Sequence, residues 1–336
     1  MNGHSEGDHP VHRVLRGAAV AAAALGLALV LAPPAAAQGW KPSRDVEFVV
    51  PFGIGGGADL LARTVVKVIQ AENLLDGNIS IVNKPGGGTA VGVSYVAATK
   101  NADPHTIVLI NPQTQITPLR VPDARGWKDL TPVANLLLDD YLLFAPKGSK
   151  YSDLADVAEA GKAAAARTIS IGSSGTADDM AIALFEAAAG IKLNIIRFDG
   201  GGESLTAMLG GHVELAAGNP LEFMGHLKSG AVSALGVYRD TRFDELPDVK
   251  TLAEQGLKAP NFQMWRGIAL PAGVPPEAVT YWADLMKKVS DSAEYQAYVK
   301  ANFATLDYRG PAEFKTFLEE QEAVYKRTLD TLGAAR

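Results

Sequence analysis

The stretch 46–70, VEFVVPFGIGGGADLLARTVVKVIQ, decides the fold, because it passes from strand to glycine loop to helix without interruption. Val46, Phe48 and Val50 alternate with Glu47 and Val49, and Pro51 ends the ladder because it has no N–H to donate. From Asp59 the period changes, and Leu61, Val65 and Val68 fall on one helical face flanked by Leu60 and Ile69. Between the two patterns lie Gly53, Gly55, Gly56 and Gly57. Such a run costs backbone entropy and belongs where the chain needs positive φ or where a ligand approaches the backbone closely. The first N–H groups of a helix lack intrahelical partners, and together with the helix dipole they favour a carboxylate or phosphate. On the loop alone two readings stand: an anion cradle, and an ordinary tight turn.

Working outward, the same grammar recurs. A strand over 79–83 leads into Lys84-Pro85-Gly86-Gly87-Gly88 and a helix over 89–99, and a third strand over 106–110 ends in the polar segment Asn111-Pro112-Gln113-Thr114-Gln115, read as a loop. The unit then restarts with a strand at 141–145, an alanine-rich helix at 152–165 and a strand at 168–171. Gly172-Ser173-Ser174-Gly175-Thr176-Ala177-Asp178-Asp179 opens the next helix, with Gly190 as its stop. Strands at 194–198, 213–217 and 233–237, a return strand at 262–270, and helices at 277–290, 293–302 and 312–332 complete the chain. This alternation predicts parallel strands covered by helices, with ligand sites at the carboxyl ends of the strands.

The beginning of the chain reads as a secretory leader, residues 1–37: Arg13 and Arg16, an apolar run over 17–31, then Ala35-Ala36-Ala37 as an A-x-A cleavage site. The run falls short of the roughly 18 residues expected of a spanning helix. Glu6 and Asp8 precede it, and a start nearer Val11 would give a more ordinary leader. The remainder suffices for two lobes. With no cysteine there is neither a disulfide framework nor a lipid-modified thiol, so a soluble, exported, periplasmic protein is expected. The net charge of −6 gives no basic footprint for nucleic acid.

Gly53-Ile54-Gly55-Gly56-Gly57-Ala58 satisfies G-x-G-x-x-G/A formally, but Asn83-Lys84 stands where a ribose-binding acid should end the next strand. Gly172-Ser173-Ser174-Gly175-Thr176 approaches a nucleophile elbow, yet Thr176 replaces the final glycine. His105, His212 and His226, the histidines beyond the leader, sit in no catalytic motif, and an exported α/β hydrolase using Ser174 is kept as the alternative reading. No metal or cofactor is expected. Asp178 and Asp179 are explained by the helix dipole, and Asp59 by capping its helix or by bonding a ligand, with the cap favoured. Phe52, Trp265 and Arg266 are candidates for lining a cleft.

VVPFGIGGGADLLAR, NKPGGGTAVG, IGSSGTADDMA, GGHVELAAGNPLEFMGHLKSGAVSALGV, LPDVKTLAEQG and PAGVPPEAV, in that order and spacing, resemble the Bug family, the periplasmic substrate-binding proteins of tripartite tricarboxylate transporters. The resemblance covers the chain beyond the leader. It implies a type II-like Venus-flytrap binding protein, with α/β lobes of mainly parallel sheet flanked by helices and joined by crossover strands. Lobe 1 would hold 38–140 plus 265–336, and lobe 2 would hold 141–264. It further implies a monomeric receptor, not an enzyme, that captures a small organic carboxylate and delivers it to a membrane permease. Citrate or a C4 dicarboxylate comes first as ligand and aromatic carboxylates after. A sensor's ligand-binding partner with the same fold is a third reading. The first carboxylate is expected at Gly55, Gly56, Gly57 and Ala58, the second at Ser174, Gly175, Thr176 and Ala177, with Asn111, Gln113, Asp199 and Asn219 as further cleft residues. The chain departs from the family pattern at Gly53 and Ile54, at Asp103-Pro104-His105-Thr106, at Lys250 and at Phe198-Asp199-Gly200, where an acid replaces a frequent lysine.

Overall fold

The computed structural model describes residues 1–3, 39–164 and 167–333. Most of the expected leader therefore lies outside the described residues, as does the start proposed near Val11.

The first half of the chain runs β1 (Val46–Val50), α1 (Gly57–Ala71), β2 (Ile79–Asn83), α2 (Ala90–Thr99), β3 (Thr106–Ile110), α3 (Gln113–Arg120) and β4 (Leu130–Asp140). The middle runs β5 (Leu142–Pro146), α4 (Leu154–Ala163), β6 (Ser170–Ser173), α5 (Thr176–Ala189), β7 (Asn194–Arg197), α6 (Gly201–Leu209), β8 (Leu215–Gly218), α7 (Pro220–Lys228) and β9 (Val232–Val237). Then come β10 (Gln263–Pro271), α8 (Pro276–Asp291), α9 (Ala293–Ala301), β11 (Thr305–Arg309) and α10 (Pro311–Leu332).

Two mixed sheets result, ordered β11-β4-β10-β3-β1-β2 and β7-β6-β8-β5-β9. Parallel pairing is confined to β2-β1-β3 in the first and β7-β6-β8 in the second, while β10, β4, β11, β5 and β9 pair antiparallel. Both sheets begin on one plan, three parallel strands and then a strand arriving from the other half, after which the first sheet adds two strands and the second adds one. β3 is buried along its whole length, as expected of a strand covered by helices on both faces. Gly190 ends α5 at φ 70°, its N–H bonding the Glu186 carbonyl.

The two halves are joined where the chain crosses between sheets. Tyr141 links β4 to β5, and Phe262 precedes β10; their rings stack with centroids 4.9 Å apart. Tyr325 of α10 meets Phe262 edge-on at 6.0 Å, and its hydroxyl accepts from Trp265 Nε1 at 3.1 Å. Tyr325 and Leu329 belong to the core beneath the second sheet, whereas Phe314, Phe317 and Leu318 of the same helix belong to the core of the first. Beside this junction, buried Arg266 Nη2 donates to Asp139 Oδ2 at 3.1 Å.

Candidate functional site

Loops leaving β1, β2 and β3 meet those leaving β6 and β7 around a cavity of about 370 Å³. Its walls include Phe52, Gly86–Ala90, Gln113, Ser174, Gly175, Thr176, Asp179, Arg197, Phe198 and Asp199. The carboxyl ends of parallel strands are where an α/β sheet presents helix N-termini to a ligand.

The wall at α5 is built by its own side chains. Gly175, at φ 149°, precedes the helix, and a Cβ there would overlap Gln113 Oε1 from the other sheet's half. Ser174 N–H and Oγ donate to Asp178 Oδ2 at 2.6 and 2.7 Å, and Tyr141 Oη donates to its other oxygen at 2.9 Å. Burial pushes the Asp178 carboxyl up to about 7, the Glu222 charge adding to it and the Ser174 and Tyr141 bonds opposing it. Asp179 accepts from Arg197 Nη2 at 2.8 Å, from Arg120 Nη1 at 3.1 Å and from Ser173 Oγ at 2.9 Å. This wall thus sets two guanidinium groups against one carboxylate, beside a helix N-terminus, and Arg197 remains 60% exposed.

The opposite wall is the second glycine loop. Gly86, Gly87, Gly88 and Thr89 all take positive φ: 118°, 58°, 59° and 80°. For a β-branched threonine this costs on the order of 1–3 kcal/mol. Thr89 is 1% exposed, its hydroxyl has no partner, and it lines the cavity just ahead of α2. Thr117 Oγ1 donates to the Gly88 carbonyl at 2.5 Å and lies 2.9 Å from Thr176 Oγ1, so the α2 and α5 N-termini are tied across the cavity.

The first glycine loop is placed differently. Asp59 is buried and accepts from Gly55 N–H, Arg63 and Asn83. Although burial works the other way, those bonds hold its carboxyl below the usual carboxylate range. It braces the loop and lines neither this cavity nor the smaller one described next. Gly57 N–H donates to Glu222 Oε1 of α7 at 3.0 Å. Gly56, Gly57, Ala58, Asn111 and Asn219 surround only a residual space of about 10 Å³, which Glu222 and Arg266 also line. Asn111 Oδ1 accepts from Gln113 N–H, and Asn219 donates to the Asp140 carbonyl and accepts from Arg266. Ala177 is buried behind Thr176, and Gly55 faces an outer groove with Phe198 and His212.

The structure thus brings Phe52, Gln113, Ser174, Gly175, Thr176 and Asp199 to one cavity. It sets Gly56, Gly57, Ala58, Asn111 and Asn219 around its small neighbour, which Phe52, Gln113 and Ser174 also line. Sequence reasoning did not include Gly86–Thr89, Arg197 or Glu222 in the site. For the glycine loop the signal was present, since NKPGGGT repeats the strand-loop-helix grammar of the first loop.

A family described as "Tripartite tricarboxylate transporter family receptor" matches residues 62–333. The chain belongs to this family. The family's members are solute receptors rather than enzymes, which sets aside the hydrolase alternative. Within the site, Ser174 Oγ donates to Asp178. The chain is similar to the "UPF0065 protein in gbd 5'region" of Cupriavidus necator, 27% identical over 328 residues, covering 95% of this chain and 96% of that one. Among solved structures it resembles the periplasmic binding protein BugD, with a TM-score of 0.82, 22% identity, and 87% and 99% of the two chains covered. It also resembles MatC from Rhodopseudomonas palustris with bound malate, with a TM-score of 0.79, 24% identity, and 86% and 99% coverage. A further R. palustris protein, with adipate, gives a TM-score of 0.77, 24% identity, and 87% and 98% coverage.

Proposed function

We propose that this tripartite tricarboxylate transporter receptor is a periplasmic, monomeric binding protein for a small organic dicarboxylate. It closes around the acid and hands it to the membrane permease of its transporter. One observation carries this reading: the cavity of about 370 Å³ lies between two helix N-termini, one with two guanidinium groups beside it and the other with an unpartnered, buried hydroxyl. One carboxylate rests at Ser174–Thr176 near Arg197, and the other at Gly88–Ala90. The malate and adipate held by the two R. palustris relatives are acids of this class. A tricarboxylate such as citrate is the second reading, favoured only by the family's description.

Binding shifts an equilibrium between open and closed lobes rather than transforming the ligand. The lobes are 38–140 plus 265–336 and 141–264, and the two crossovers between them are the hinge. Thermal unfolding across a panel of organic acids tests the reading. A ligand bound only by the folded chain, at about 100 times its Kd, adds about 2.7 kcal/mol of stability. Malate or another dicarboxylate should raise Tm visibly without being consumed. A flat response to every di- and tricarboxylate would refute the assignment.

A further inference from the structure

Glu222 belongs to the first turn of α7, on the second sheet, yet its carboxylate reaches the N-terminus of α1 on the first, where Oε1 accepts from Gly57 N–H at 3.0 Å. Three glycines from three places surround it, Gly201 making room for this carboxylate, Gly57 for it and Arg266 together, and Gly218 chiefly for Phe223. A Cβ on Gly57 would stand 3.0 Å from Glu222 Cγ, one on Gly218 would stand 3.2 Å from Oε2, and one on Gly201 would overlap Oε2 outright. Gly201 opens α6, so this acid faces two helix N-termini at once, and Arg266 lines the same space. These are the surroundings expected of a bound carboxylate, supplied here by the protein. What remains is about 10 Å³, room for about one water. Phe52, Gln113 and Ser174 wall this remnant on one side and the main cavity on the other, so the two spaces adjoin.

We infer that Glu222 is a specificity-determining residue: in the closed receptor it fills the α1 cradle with the protein's own carboxylate, so that a ligand's two carboxylates are accepted elsewhere and a third is refused. The inference rests on the carboxylate reading above. A tricarboxylate seated at α5 and α2 would project its remaining carboxylate toward the α1 cradle, where it would meet an occupied site and a like charge. A dicarboxylate brings no such group.

The test is titration calorimetry of malate and citrate with the full chain, Glu222→Ala and Glu222→Gln. The wild-type chain should prefer malate by about tenfold or more, and Glu222→Ala, which vacates the cradle, should raise the citrate-to-malate affinity ratio by about tenfold or more. Glu222→Gln keeps the acceptor oxygen and the volume, and should restore most of the discrimination. Citrate bound by the wild-type chain as tightly as malate, or a ratio that Glu222→Ala leaves unmoved, overturns the inference while leaving the carboxylate reading intact. The wild-type ratio decides the matter even if the alanine variant fails to fold. Failure of all three proteins to bind either acid overturns this inference, and the carboxylate reading falls with it if the wider panel of acids also leaves Tm flat.

Discussion

Thr89 holds a φ that its branched side chain disfavours, and it buries a hydroxyl that nothing in the protein satisfies. Strain and an orphaned polar atom at one residue are both costs to the ligand-free fold, and both are explained if the hydroxyl serves the ligand. Thr89→Gly should therefore stabilise the free chain by about 1 kcal/mol, read from the denaturation midpoint. It should also weaken dicarboxylate binding by about tenfold. A variant that is less stable, or one that binds undiminished, would sink this account. At this scale the sequence was partly legible. Glycine runs announce themselves because few other residues tolerate positive φ, and Gly175 and Gly86–Gly88 stand where the composition placed loops. Glu222 could not be read, because its role depends on a hydrogen bond across 165 positions of chain.

Helix α5 carries a strongly raised acid. Burial raises Asp178 in its first turn to about 7, and raises Asp139, near the end of β4, to about 8 against the pull of Arg266. The folded chain then retains protons on these acids at pH values where the unfolded chain has released them. Their contribution is complete below about pH 4 and is lost as pH rises through about 7 and 8, so stability falls with rising pH in that window. Asp59 and Asp103 are held below the usual carboxylate range and titrate beneath it. Each raised acid can contribute a slope of up to about 1.4 kcal/mol per pH unit. Chemical denaturation at pH 5 to 8 should show Asp178→Asn losing stability less steeply than the wild-type chain, and equal slopes would exclude the assignment. Elements with a clean period were found from the sequence, whereas several were not, α6, β4, β11 and α3 among them. β4, LTPVANLLLDD, is buried on both faces for most of its length and so lacks alternation. β11, TLDYR, is a short edge strand of mixed polarity. α3, QTQITPLR, looks like a loop because Gln113, Thr114, Gln115 and Thr117 are polar. It is nevertheless buried, its side chains bonding backbone carbonyls: Gln115 to Leu318 at 2.7 Å, and Thr114 to Asn111 at 2.6 Å.

The whole molecule begins both sheets on one plan and exchanges a strand between them, which is why the restart near residue 141 was visible in the sequence. The mixed character of the sheets was hidden, because a strand's partner is a matter of tertiary placement. The halves meet through Gly53 N–H on the Asp199 carbonyl at 3.2 Å, through Thr117 on Thr176, and through Arg120 on Asp179. Because α10 contributes to both cores, the halves should unfold together. Calorimetry of the ligand-free chain should show one transition, and Tyr325→Ala should lower it as a unit, by about 3–5 kcal/mol. Two separated transitions would show that the helix does not couple them. The same helix also sets a schedule. A polypeptide made from its amino end produces every strand of the second sheet before Tyr325 exists to cover that core, and the first sheet waits for β10 to enter between β3 and β4. Contacts so distant along the chain form late. The nascent polypeptide therefore stays unfinished until α10 has been synthesised.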